Sequence, residues 1–198
     1  MMINKKLLNM MAVMVTAIFF GCANVPAPID SHFNKGVELY DNKELAKAIE
    51  EYKLALRQNP KDTFAMYNLA VLYQDQGKTD QAENLYGSVL KITEDTFSRI
   101  NLAGILYDKG NHDEAFRQLE TAADKNPDSA YPLSVLGEYK EQQEKFAAAE
   151  QNYLKALSID NHHALTHYRL GRLHLKREKF AQGIEHLQQA GELETDNS

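Results

Sequence analysis

Four series of residues recur along this chain at one and the same spacing, and that coincidence restricts the fold more than any other feature. Small residues stand at Gly36, Ala70, Ala103, Gly137 and Gly171, separated by 34, 33, 34 and 34 residues. A second small series, Ala48, Ala82, Ala115, Ala149 and Gly183, repeats those intervals. Large residues follow at Tyr52, Tyr86, Leu119, Tyr153 and Leu187, and a mostly alanine series at Ala55, Val89, Ala122, Ala156 and Ala190. A period of this length marks stacked supersecondary units, none of which can bury its apolar face alone.

Composition says which kind of unit. Gly and Pro number only 10 and 5 in 198 residues, and no β-branched alternation is long enough for a strand, so helices are expected throughout. Pro60 and Pro127 fall where a unit ends, a place where proline stops a helix without removing an interior hydrogen bond. Gly77 and Gly110 fall inside the second and third units, where a left-handed residue can end a first helix. Asn42 is expected to take that role in the first unit, whereas Glu144 and Glu178 are poor candidates for it. The second unit is one residue short, around Ile92 to Asp95, which predicts a local change in stacking. Small residues in both helices should let them cross closely, with the large residue filling the wedge against the next unit.

At these residues the chain resembles the tetratricopeptide repeat family, whose unit of about 34 residues reads helix, turn, helix. The resemblance implies an all-α fold, a right-handed α-solenoid of five repeats at residues 29–62, 63–95, 96–129, 130–163 and 164–197. It also implies a groove lined by the second, fifth, sixth, ninth and twelfth positions of each unit. Carried over, these give Asn34 with Phe33, Val37 and Tyr40, then Phe64, Tyr67, Asn68 and Val71, then Phe97, Ile100, Asn101 and Tyr107. The last two repeats change character, with Tyr131, Ser134, Glu138 and Glu141 followed by Tyr168, Arg169, Arg172 and Lys176. Asn34, Asn68 and Asn101 share one position, and an amide offers both donor and acceptor, so the row could pair with the backbone of an extended peptide. On that reading, replacing Asn68 or Asn101 should weaken binding and leave stability nearly unchanged. The alternative is that these side chains pack within the stack. The basic residues that chaperone-binding members use to clamp a C-terminal carboxylate are replaced by Phe33, Tyr67 and Ile100.

Before the repeats, Lys5 and Lys6 precede an apolar run from Leu7 to Phe20 that closes on Gly21, Cys22 and Ala23. A basic start, a short apolar stretch and small residues describe an export signal, too short to span a bilayer comfortably. Phe19-Phe20-Gly21-Cys22 resembles the lipobox of bacterial lipoproteins, although Phe19 stands where Leu is usual. That resemblance implies a signal at 1–21, lipid on Cys22 and a short tether at 22–28. Ala23 after the cysteine implies export to the outer membrane, on its periplasmic face. The alternative is an ordinary signal cut near Ala23, or an uncleaved anchor.

The formal charge of -6, or -8 without Lys5 and Lys6, excludes an electrostatic footprint for nucleic acid. His163, His167 and His174 invite a metal reading, but His167 and His174 sit at packing positions, so structural roles are expected and no metal or cofactor is. No phosphate loop or nucleophile elbow is present. The expectation is a non-catalytic scaffold with no small-molecule substrate, anchored in the envelope, resembling repeat lipoproteins of pilus or secretion assembly. The competing reading is an adaptor that delivers cell-wall hydrolases or proteases.

Overall fold

The structure is a computed structural model and describes residues 32–195. The expected signal at 1–21, lipid site at Cys22 and tether at 22–28 lie outside the described residues, as do positions 29–31 and 196–198. Among the described residues every regular element is a helix. In chain order they are α1 (His32–Asp41), α2 (Leu45–Gln58), α3 (Thr63–Asp75), α4 (Thr79–Leu90), α5 (Thr96–Asp108), α6 (His112–Lys125), α7 (Tyr131–Gln142), α8 (Phe146–Ile159), α9 (Ala164–Lys176) and α10 (Phe180–Thr195). They pack as five hairpins, each stacked on the next, in an all-α solenoid.

Each hairpin closes in the same way. One residue between its helices is left-handed, at Lys43, Gly77, Gly110, Glu144 and Glu178, with φ between 59° and 82°. The following amide then bonds back across the turn, Glu44 to Leu39, Lys78 to Tyr73, Asn111 to Leu106, Lys145 to Lys140 and Lys179 to His174, at 2.8–2.9 Å. The turn of the first repeat therefore uses Lys43 and not Asn42, one residue later than expected. Glu144 and Glu178 do adopt the conformation that their side chains disfavour, because the backbone bonds on either side leave no other path.

Between hairpins, Asn59 and Asp160 leave the helix in extended conformation, and the amides of Asn59, Asn126 and Asp160 donate to the carbonyls of Ala55, Ala122 and Ala156, members of the periodic alanine series. Asn161 follows the same path as Pro60 and Pro127, so proline is dispensable there. The missing residue of repeat two comes out of α4, which has 12 residues where α2, α6 and α8 have 14. Asp62 and Asp95 then start α3 and α5 by accepting backbone N–H groups at 2.6–3.1 Å.

The two periodic series meet inside each repeat. A Cβ on Gly36 would stand 2.6 Å from the ring of Tyr52, and one on Gly137 would stand 2.6 Å from the ring of Tyr153. Gly171 and Gly183 bring α9 and α10 equally close, a Cβ on Gly171 lying 3.0 Å from the Gly183 carbonyl oxygen. The large residue thus lies on the small one of its own hairpin and also packs against the first helix of the next, Tyr52 with Leu69 and Leu72 and Tyr153 with Leu170 and Leu173, as the spacing suggested. Repeats join through apolar clusters such as Ile49, Leu69 and Leu72, or Leu119, Val135 and Leu136. Where the contact turns polar, Glu150 of α8 takes His174 at 3.1 Å, Lys179 at 2.8 Å and Arg177.

Two substitutions test this construction by urea unfolding. Glu144→Gly relieves the left-handed backbone and is expected to stabilise by about 1 kcal/mol. Gly137→Ala gains about 1 kcal/mol of helix propensity but forces the buried Tyr153 ring aside, for a net loss of about 1 kcal/mol or more.

Candidate protein-binding groove

The predicted groove residues lie on the first helices of the hairpins, and the structure sorts them by what they touch. Phe64, Phe97 and Tyr168 are open, with 63%, 45% and 46% of their surface exposed. Asn34 and Arg172 are exposed as well. The Phe64 ring leans on Phe33 at 6.3 Å, and Phe33 on Tyr52 at 6.0 Å, so an exposed ring is backed by a buried one. Arg172 reaches over Tyr168, 5.7 Å from the ring centre. Tyr131 is half-buried, its ring 6.3 Å from that of His163.

The asparagines at the sixth position have partners inside the stack. The Nδ2 of Asn101 donates to the hydroxyl of Tyr86 at 3.2 Å and to that of Tyr67 at 3.4 Å. The Tyr86 hydroxyl in turn donates to Oε1 of Gln74 at 3.0 Å. Asn68 makes the corresponding bond to Tyr52 one repeat earlier. Tyr153 donates to Glu141 at 3.0 Å, beside the charge of Arg169. Burial pushes the hydroxyls of Tyr52, Tyr86 and Tyr153 above the ordinary phenol value, and that of Tyr67 up to about 12. A buried hydroxyl needs a partner; the sixth residue of the next repeat supplies one to Tyr52 and Tyr86, and Glu141 of its own repeat supplies one to Tyr153.

Arg169 and Tyr107 are committed in the same sense. Arg169 is only 4% exposed, its guanidinium donating to Oγ of Ser134 at 2.9 Å and to Glu138. Tyr107 donates to the carbonyl of Tyr139 at 3.1 Å, and the two rings stack at 4.2 Å and 15°. Tyr139, together with Tyr52, Tyr86 and Tyr153, was missed as a participant. The signal was present: tyrosine precedes a polar sixth residue by 15 or 16 positions at Tyr52–Asn68, Tyr86–Asn101 and Tyr153–Arg169, while Leu119 precedes Val135.

Families described as tetratricopeptide repeat match residues 39–103 and 100–164, together more than half of the chain. The chain belongs to the tetratricopeptide repeat family. No curated protein sequence matches it. Among solved structures, MamA 41-end from Desulfovibrio magneticus RS-1 is similar at 19% identity and TM-score 0.67, over 83% of this chain and 94% of that one. Pseudomonas aeruginosa PilF is similar at 20% identity and TM-score 0.71, over 82% and 75%. YrrB, described as a TPR protein with an unusual peptide-binding site, is similar at 19% identity and TM-score 0.59, over 84% and 88%. At these identities the likeness is one of fold. Tetratricopeptide arrays are protein-interaction scaffolds, and this chain is one of them.

Three imidazoles meet where α9 packs on α10. Nδ1 of His167 and Nδ1 of His186 are 3.0 Å apart and share one proton, while Nε2 of His167 faces the Asn161 carbonyl at 3.0 Å. The ring of His174 lies 5.5 Å from that of His186, tilted by 48°, and its Nε2 is 3.1 Å from Glu150. No cluster of three His, Cys, Asp or Glu among the described residues could hold a metal ion.

Two predictions follow from these contacts. Asn101→Ala is expected to lower stability by about 1–2 kcal/mol, because it strips the tyrosine hydroxyls of a donor. The pair Tyr86→Leu with Asn101→Val, which copies Leu119 and Val135, should recover part of that loss in chemical denaturation. The second concerns pH. Burial and then its neighbours His167 and His174 hold His186 below the ordinary imidazole value, and burial does the same to His163. The folded chain therefore binds fewer protons than the unfolded one, so this stability is present above about pH 6.5 and is lost as pH falls below it. The melting temperature should drop between about pH 7.5 and 5.5, and His186→Gln should flatten that slope.

Proposed function

We propose that this tetratricopeptide scaffold is a lipoprotein of the bacterial envelope that holds a component of a pilus-type or secretion-type machine in its groove. The observation that carries the binding half is the set of exposed rings, Phe64, Phe97 and Tyr168, on the first helices of repeats two, three and five. Exposed aromatics backed by packed ones are the usual energetic anchors of a protein interface. The peptide-binding site described for YrrB supports a peptide segment as the bound element. The amide row is then a support for the groove wall, and the ligand contacts come from the aromatics, Asn34 and Arg172.

The envelope half rests on the sequence before the repeats. A basic start, the apolar run Leu7–Phe20 and the single cysteine at position 22 fit a lipoprotein signal, with the mature chain beginning at Cys22. Several acyl chains on one residue anchor a protein stably where one does not. Ala23 after the cysteine supports the outer membrane, with the repeats facing the periplasm.

Both halves are open to direct test in the organism's envelope. The wild-type protein should sediment with membranes and carry radiolabelled palmitate, and Cys22→Ala should abolish both. Crosslinking and affinity capture should recover a discrete envelope protein, and Phe64→Ser with Phe97→Ser should reduce its recovery about tenfold or more. Both rings are exposed, so stability should change by no more than about 0.5 kcal/mol per site. Undiminished capture by the double variant would sink the groove assignment, and unlabelled Cys22 the anchor.

A further inference from the structure

The two ends of the stack differ in kind. On α3 and α7 the face of the first helix that meets the preceding hairpin is apolar, with Met66, Leu69 and Leu72 and with Leu133 and Leu136, all buried, while α5 and α9 carry one polar residue there, Arg99 and His167, beside Leu102 and Ile105 and beside Leu170 and Leu173. In repeat one the corresponding positions of α1 carry His32, Lys35 and Glu38. His32 and Lys35 pair with Glu51 at 2.6 and 2.7 Å, and burial of that face under another hairpin would strip water from these charges. This end is finished.

The other end is not. Several positions by which earlier second helices receive the next repeat are apolar and covered, Ile49 and Leu56 on α2, Phe116 on α6, and Phe146 and Leu157 on α8, while Glu83 of α4 and Glu150 of α8 make ion pairs to the next repeat instead. Their counterparts on α10 are Phe180, Ile184 and Gly191. Phe180 and Ile184 are 60% and 52% exposed, and nothing lies within 4 Å of where a Gly191 side chain would be. Gln182 and Glu185 lie to one side of this stripe, and Gln189 is half-buried. From Phe180 through Ala181, Ile184, Leu187, Gln188 and Gly191 to Thr195, one face of α10 carries no charge.

We propose that this face is a two-fold interface by which two copies of the chain join through antiparallel α10 helices. Three features select a second copy placed this way. The polar face of α1 rules out head-to-tail stacking, which would otherwise extend the array into a filament. The uncharged stripe can meet itself without like-charge repulsion. An axis between Leu187 and Gln188 sets Ile184 of one copy opposite Gly191 of the other, so a projecting branched side chain faces the open glycine, and Phe180 faces Thr195. The interface lies at the end of the stack, so both grooves stay open and the assembly presents two of them.

The test uses the full chain. In a Cys22→Ser background, Gln188→Cys sits next to the axis and should give a disulfide-linked dimer in high yield on mild oxidation, whereas Gln182→Cys, off the stripe, should give little. Adding Ile184→Glu to Gln188→Cys should reduce the yield at least tenfold. Ile184 is exposed, so the melting temperature should hold, which separates loss of pairing from loss of fold. Sedimentation equilibrium should show a dimer for the parent chain and a monomer for Ile184→Glu. Equal crosslinking at positions 182 and 188 would overturn the proposal. So would a parent chain that stays monomeric, and the face would then belong to a helix of another protein.

Discussion

The close approach of a small residue on one helix to a large one on its partner is the contact on which everything else in this chain rests. Gly36 under Tyr52 and Gly137 under Tyr153 leave no room for a methyl group, so the ring position is dictated by the backbone opposite. A ring held that firmly projects its hydroxyl to a fixed point, at the seam with the next hairpin. The crossing inside one repeat thereby sets the contact between repeats. Interiors packed at this density transmit such constraints because side chains have no slack to absorb them.

At the seam the choice between oil and water is made pair by pair. Tyr86 with Asn101 and Gln74 makes a polar joint, Tyr153 with Glu141 and Arg169 a charged neighbourhood, and Leu119 with Val135 a dry one. Both members change together because a buried hydroxyl without a partner costs far more than its absence. The proposed groove is built on this seam. Its open residues, Phe64, Phe97, Tyr168 and Arg172, stand on helices whose inward neighbours are locked, which would give a ligand a preorganised wall.

The array also has a direction. A charged face at α1 and an uncharged one at α10 mean that the stack can be continued at one end and not at the other. In the proposed setting, the lipid on Cys22 would hold the finished end near the membrane and leave the unfinished end farthest from it. The three imidazoles lie between α9 and α10, in the hairpin that also carries the exposed face.

Repeat number, phase and all-helical character were legible in the sequence, because steric limits at a helix crossing admit only small residues and therefore repeat with the unit. The turns were legible only where glycine marked them. Lys43, Glu144 and Glu178 take the same backbone shape, since closure of the hairpin outweighs the about 1–2 kcal/mol that a left-handed non-glycine residue costs. The face of Asn68, Asn101 and Arg169 was read correctly to the helix and incompletely to the side chain. Spacing places a residue on a helix, but whether its donors meet a ligand or a tyrosine of the preceding repeat depends on a distance across the stack, and that distance exists only once the hairpins are packed.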